Sequence, residues 1–233
     1  MSDHDRLVAV LRGTGPVLLD FDGPVTGLLR DGRNVRLAAA ARGRLLEVAA
    51  RVPATIAGTT DHLAVLRHAA AHEPAALERV ERACDEGELA AAEVCRPTPG
   101  IGAVLEACRS AGRPVVVVSN NAGPAIGRVL RRLRLDGYVT ATFGRTPGRP
   151  DLLKPHPHIV RAAHELLRAE PDRCVLIGDQ VSDVAVARLT GVRSIGYART
   201  TRREADLVRA GADVVVSALR PVAGAVRDAS PPH

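Results

Sequence analysis

Residues 17–23 read Val17-Leu18-Leu19-Asp20-Phe21-Asp22-Gly23. A short apolar run with strand character leads straight into two carboxylates and a glycine. Such a run, bounded by turn signals, fits a strand covered on both faces. The two Asp at its end are costly to bury unless a cation or a shared proton meets them. Gly23 permits a sharp turn behind them. Taken alone, the segment also fits a polar loop whose Asp caps the following helix.

Outward from that stretch, comparable apolar runs recur. Pro114 to Val118 ends at Ser119, and Cys174 to Ile177 ends at Gly178-Asp179. Weaker runs are Val192 to Gly196, Val214 to Val216 and Tyr138 to Ala141. Helical spacing fills the gaps: Ile101 to Ser110, Ala125 to Leu133, His158 to Ala169 and Val181 to Leu189. Strands alternating with helices need crossover connections, hence a mostly parallel sheet. The expected fold is α/β, with a Rossmann-like three-layer core. From about Gly27 to Cys95 the alternation stops. Leu37 to Ala50, Asp61 to Ala71, Pro74 to Cys84 and Glu86 to Val94 each read as a helix. That stretch is an all-helical insert after the first strand, and Pro97-Thr98-Pro99-Gly100 marks the return to the sheet. The expected boundaries are 1–26 and 96–227 for the core, 27–95 for the insert, and 228–233 for a disordered tail.

Composition narrows the function. The chain of 233 residues carries a net charge of +6, yet aromatics are only 2% and Trp is absent, which argues against base stacking on single-stranded nucleic acid. Its basic residues are scattered Arg. The densest cluster, Arg128, Arg131, Arg132 and Arg134, reads as a solvated helix face. Cys84, Cys95, Cys108 and Cys174 show no metal-ligand spacing and read as buried small hydrophobes in a reducing compartment. No signal pattern opens the sequence, and no apolar run reaches the length of a membrane helix. The expectation is a cytoplasmic protein with no nucleic-acid or membrane partner. Its oligomeric state is not readable.

In an open parallel sheet, ligands bind beyond the carboxyl ends of the strands. Three runs deliver polar residues there. The first gives Asp20 and Asp22. The second gives Ser119-Asn120-Asn121, a hydroxyl and backbone N–H groups suited to a phosphate oxygen, or to plain helix capping. The third gives Asp179 and Asp183, four apart at a helix start. With Asp20 they form a hard-oxygen set suited to Mg²⁺, although Asp near a helix start also has a purely dipolar reading. Lys154 is the one lysine of the chain. A compact ammonium suits a place where it neutralises a carboxylate and a phosphate together.

These residues resemble the motifs of the haloacid dehalogenase-like (HAD) superfamily of hydrolases. Asp20-Phe21-Asp22-Gly23 is similar to the first motif, Ser119 to the second, Lys154-Pro155 to the third, and Gly178-Asp179 through Asp183 to the fourth. The order matches, and everything but the insert is covered. The insert resembles the helical cap of the first type, found in phosphoglycolate phosphatase-like and β-phosphoglucomutase-like members. The family usually has Thr where this chain has Pro24. Pro24 offers neither N–H nor hydroxyl to orient Asp22, a departure that bears on rate and cap hinging.

The resemblance implies a Mg²⁺-dependent phosphatase acting on a small phosphorylated metabolite. Asp20 is the expected nucleophile and Asp22 the acid and base. Ser119, Asn120 and Lys154 are expected at the phosphoryl oxygens. Asp20, the Asp22 main-chain carbonyl, Asp179 and Asp183 are expected at the metal. A phosphomutase on the same scaffold and a non-catalytic binding protein are the alternatives. Gly58-Thr59-Thr60-Asp61-His62 in the insert reads as an interhelical loop or as a segment dipping toward substrate. His156 and His158 read as capping or solvent-facing.

Overall fold

The computed structural model describes residues 2–229. The chain begins with α1 (Asp3–Leu11), started by a Ser2/Asp5 capping box, and enters β1 (Val17–Leu19). Helices of the insert follow: α2 (Arg33–Leu46), α3 (Ala54–Ala57), α4 (His62–His72) and α5 (Leu77–Val94). Then come α6 (Ile101–Ser110), β2 (Val115–Ala122), α7 (Gly123–Arg132), β3 (Ala141–Arg145), α8 (His158–Leu167), β4 (Val175–Gly178), α9 (Val181–Thr190), β5 (Arg193–Tyr197), α10 (Thr201–Ala210), β6 (Val214–Val216) and α11 (Arg220–Asp228).

The strands form one sheet in the order β3-β2-β1-β4-β5-β6, and every pairing is parallel. Side chains alternate between its faces. Val17, Leu19, Val115, Val117, Val175 and Ile177 join the larger apolar cluster. Leu18, Val116, Val118 and Leu176 join a cluster with α8 and α9 residues such as Val160 and Val186. Both faces are buried, so the strands read as unbroken apolar runs. β1 lies between β2 and β4, with Leu18 beside both Val116 and Leu176. The chain turns outward in opposite directions from this point, which opens a crevice at the carboxyl ends of the three central strands.

Helices α2, α4 and α5 enclose a cluster of their own, with Leu45, Val65, Leu66, Val80 and Cys84 at its centre. The expected helices at 74–84 and 86–94 are in fact one, α5, preceded by a 3-10 turn at Pro74–Ala76. Gly87 does not break it. A Cβ there would lie 2.2 Å from Leu37 Cδ1, so the missing side chain lets α2 pack close. Two chain segments join this helical unit to the sheet. Thr26 Oγ1 donates to the Arg96 carbonyl at 2.7 Å, and Thr98 Oγ1 donates to the Gly23 carbonyl at 2.6 Å. These threonines pin the turn that contains Pro24.

Other boundaries also move. β3 begins where the expected strand at 138–141 ends, because Asp136–Tyr138 winds into a 3-10 turn and pairing starts with Thr140 N–H on the Val115 carbonyl. β2 continues past Ser119 to Ala122, with a register irregularity after Val118. Asp228 closes α11 and Ala229 is buried, so the expected tail starts no earlier than 230; residues 230–233 lie outside the described part. Arg128 and Arg132 are not simply solvated. Arg128 holds Glu93 through two hydrogen bonds, and Arg132 caps the end of α5 at the Ala92 and Cys95 carbonyls. All four Cys are buried and unpaired, and burial pushes the Cys84 thiol up to about 12. Among the described residues no helix is long and apolar enough to cross a membrane.

Candidate active site

The ends of β1, β2 and β4 bring together residues far apart in sequence. Lys154, 2% exposed, reaches in from the segment before α8. Its Nζ donates to Asp20 Oδ1 at 2.7 Å, to Asp183 Oδ1 at 2.6 Å and to the Val118 carbonyl at 2.9 Å. An ammonium has three N–H groups, so all are spent on protein oxygens. Asp20, Asp179 and Asp183 each offer an oxygen within 4.8 Å of the others.

Two glycines make this convergence possible. Gly23 has φ +139°, and a Cβ there would fall 2.3 Å from Asp179 Cγ. A Cβ on Gly178 would fall 2.4 Å from Asp183 Oδ2. Side chains at either position would push a carboxylate out of the cluster. Asp183 is held on both sides. Its Oδ1 meets Lys154, and its Oδ2 accepts the Gln180 N–H at 3.0 Å. It is therefore an orienting group more than an open ligand, whereas Asp179 has only the Gln180 amide on Oδ1 at 3.2 Å.

Three carboxylates around one ammonium leave the cluster short of positive charge. Burial, then repulsion from Asp183, push the Asp20 carboxyl up to about 7, although Lys154 pulls the other way. Burial and the neighbouring carboxylates Asp20, Asp183 and Asp22 also hold Asp179 well above the usual range. Burial works against the Lys154 charge, but Asp183 and Asp20 outweigh it and keep this lysine above its ordinary value. A hard divalent cation at this oxygen set would relieve the excess charge, so the donor chemistry fits Mg²⁺.

The other expected residues border the same cavity of about 1130 Å³, shared by Asp20, Asp22, Ser119, Asn120, Lys154 and Asp183. The Asp22 side chain stands apart from the carboxylate cluster. Burial pushes its carboxyl up to about 6, and the Leu29 N–H lies 3.5 Å from its Oδ1. Ser119 is buried, and its hydroxyl donates to Asn121 Oδ1 at 3.0 Å. The Asn120 side chain grips the Lys154 backbone, accepting its N–H at 2.7 Å and donating to its carbonyl at 3.3 Å. The insert contributes Thr60, Asp61, His62 and Arg67 to the cavity wall, so the 58–62 segment does dip toward the site. His156 does not border this cavity; it accepts the His158 N–H at 3.3 Å, at the start of α8.

Sequence reasoning missed Arg30 and Arg203, which face the cavity from the loop after β1 and from α10. It also missed Glu88 and Arg145, buried just behind its wall. Scattered Arg gives no periodic signal. The spacing Glu81, Asp85, Glu88 on one helix was the available sign, hidden by reading that helix as two.

Comparison with known proteins gives the family and the fold. The model of the haloacid dehalogenase-like hydrolases matches residues 17–191, the stretch from β1 through α9. The chain belongs to the haloacid dehalogenase-like hydrolase family. It is 31% identical over 127 residues to the phosphoglycolate phosphatase of Aquifex aeolicus, a match covering 49% of this chain and 58% of that protein. The matched stretch thus spans little more than half the length of that relative. Among solved structures, a hydrolase from Pseudomonas syringae superposes with a TM-score of 0.73 at 18% identity, covering 93% of this chain and all of that one (100%). CbbY from Rhodobacter sphaeroides, solved in complex with phosphate, gives a TM-score of 0.67 at 19% identity, covering 89% and 95% of the two chains. At such identities the superpositions establish the fold.

Proposed function

We propose that this protein is a Mg²⁺-dependent phosphatase that hydrolyses a small phosphomonoester, with residues 27–95 serving as its cap. The observation that carries the reading is the buried cluster of Asp20, Asp179, Asp183 and Lys154 at the ends of the central strands. Asp20, Asp179 and the Asp22 main-chain carbonyl would hold Mg²⁺, which would supply charge neutralisation for the gathered anions.

Asp20 attacks phosphorus, the bond from phosphorus to the alcohol oxygen breaks, and an aspartyl phosphate forms. Asp22 gives its proton to the departing alkoxide. A carboxyl with its pKa near 6 is protonated in a usable fraction around neutrality and ionised in the rest. Asp22 then takes a proton from water as that water attacks the aspartyl phosphate. The bond between phosphorus and the Asp20 oxygen breaks, releasing inorganic phosphate. Lys154 fixes the Asp20 rotamer through Oδ1 and offsets charge; with its N–H groups already used, its pull on the phosphoryl group is electrostatic. In this reading the Ser119 hydroxyl turns from Asn121 to a phosphoryl oxygen when substrate binds, and the Asn120 N–H donates to another. Asp183 keeps Lys154 in position.

The test is hydrolysis of p-nitrophenyl phosphate and a phosphometabolite panel, with Mg²⁺ and with EDTA, beside Asp20→Asn. The panel starts with 2-phosphoglycolate, named for the sequence relative. Metal-dependent turnover that disappears in folded Asp20→Asn is expected. Full activity of that variant sinks the nucleophile assignment, and a wild type inactive on every compound sinks the phosphatase reading.

A further inference from the structure

Behind the cavity wall lies a second buried charge cluster that the phosphoryl chemistry leaves unused. Glu88, on α5, has no exposed surface (0%). Its Oε2 accepts the Ala122 N–H at 2.6 Å, where β2 passes into α7. Its Oε1 accepts from Arg145 Nη1 at 2.9 Å and meets His62 Nε2 at 2.8 Å. Arg145, at the end of β3, also donates to the Asn120 carbonyl at 2.9 Å and to Asp85. One carboxylate of the helical insert is thereby bonded to two elements of the sheet layer and to a histidine of its own layer.

Burying three ionisable side chains is expensive, and plain packing of α5 on β2 needs none of them. What they fix is the ring of His62. Burial disfavours the Glu88 charge, but His62 and Arg145 outweigh it and hold this carboxyl below the usual range. An ionised carboxylate only accepts, so His62 Nε2 carries the proton. Among the described residues Nδ1 has no hydrogen-bond partner. The ring borders the cavity that holds Asp20 and Asp22. Its backbone is set too, since His62 opens α4 directly after Asp61, whose carboxylate caps the helix by accepting the Leu63 N–H at 2.9 Å.

We propose that His62 contacts the substrate, its Nδ1 accepting a hydrogen bond from a hydroxyl of the leaving group, and that Glu88 and Arg145 are positioning residues, Glu88 holding the ring at Nε2 and Arg145 holding Glu88. The inference rests on the phosphatase reading above. It makes the insert's contribution to specificity depend on contact with the sheet layer: Glu88 reaches Arg145 and Ala122 only when the two layers meet, so His62 is presented only then.

The test compares wild type, His62→Gln and His62→Ala, all Mg²⁺-loaded, on the best metabolite of the panel. Glutamine keeps an N–H donor for Glu88 and lacks the second ring nitrogen. We expect kcat/KM to fall about tenfold in both variants, the worth of one hydrogen bond. His62→Gln should keep the wild-type melting temperature, and competitive inhibition by inorganic phosphate, which has no leaving group, should be unchanged. Full kcat/KM in His62→Gln beside a weak and unstable His62→Ala makes the histidine structural and overturns the inference alone. A wild type with no turnover on any compound overturns the phosphatase reading and this inference with it. A second measurement needs no His62 variant. In ¹⁵N-imidazole spectra of Asp20→Asn with Mg²⁺, the His62 Nδ1 resonance should move on adding the metabolite and stay on adding inorganic phosphate; no movement with either overturns the contact.

Discussion

Lys154 Nζ and Asp20 Oδ1 lie 2.7 Å apart across 134 residues of sequence, both almost wholly buried. This contact joins the end of β1 to the segment before α8, and Asp183 completes it from the start of α9. The site is thus part of the fold's own framework, and its charges bear on stability as well as on chemistry.

Removing the ammonium should expose that dependence. Lys154→Met fills a similar volume and leaves Asp20, Asp179 and Asp183 facing one another without a cation. Taking one partner from a buried pair costs about 3–5 kcal/mol. Thermal unfolding in EDTA should show a clearly lowered melting temperature. Mg²⁺ should recover part of the loss, because a ligand present at about 100 times its Kd stabilises by about 2.7 kcal/mol. A melting temperature unchanged in EDTA would count against the charge balance described here.

The site glycines separate two effects. Gly23→Ala places a methyl against Asp179 and adds strain at φ +139°, so the expected defect is in metal use. The Mg²⁺ concentration for half-maximal activity should rise about tenfold or more, as when the support of a metal ligand is disturbed. Gly178→Ala presses on Asp183 and through it on Lys154. Overpacking of this kind costs about 1–3 kcal/mol, so its expected signature is a lower melting temperature together with lower kcat. Magnesium titrations and melting curves of both variants give the comparison. Identical profiles for the two would refute separate roles for Asp179 and Asp183.

The sheet and the polar residues at its strand ends were legible because each strand of the centre is an unbroken apolar run ending in a polar residue. Val17 to Leu19, Val115 to Val118 and Val175 to Ile177 are legible for the same reason that they are buried: helices cover both faces. The helices α1, α3, α10 and α11 lie outside the segments expected to be helical. α10 buries only Leu207 and is mostly charged, so it offers few apolar residues to mark it. α11 contains Pro221 and Gly224, which argue locally against a helix, but Pro221 falls in the first turn, where its missing N–H costs nothing. The second charge cluster was illegible for another reason. Arg145 meets Glu88 only through the pairing of β3 with β2 and the packing of α5 on α7, and no local pattern encodes that meeting.

That long-range pair leads to a prediction about acid. Glu88 is held below the usual carboxyl range, so its bonds contribute stability at pH values above the unfolded value of 4.5. The contribution is lost as pH falls from there through the folded value, because the folded state must then take up a proton it resists. Contact between α5 and the sheet layer should therefore weaken in that acid window. The Ala122 amide, which donates to Glu88 Oε2, reports on it directly. Its hydrogen exchange, corrected for the intrinsic pH dependence, should lose protection below about pH 4.5 in wild type. In Glu88→Gln the carboxylate is gone and Arg145 keeps Asp85 as its nearest anion. Breaking the buried pair should cost about 3–5 kcal/mol at neutral pH, and the remaining protection at Ala122 should no longer carry the acid step. An acid step of equal size in wild type and variant would assign it to other carboxylates and remove Glu88 as the group that joins the two layers.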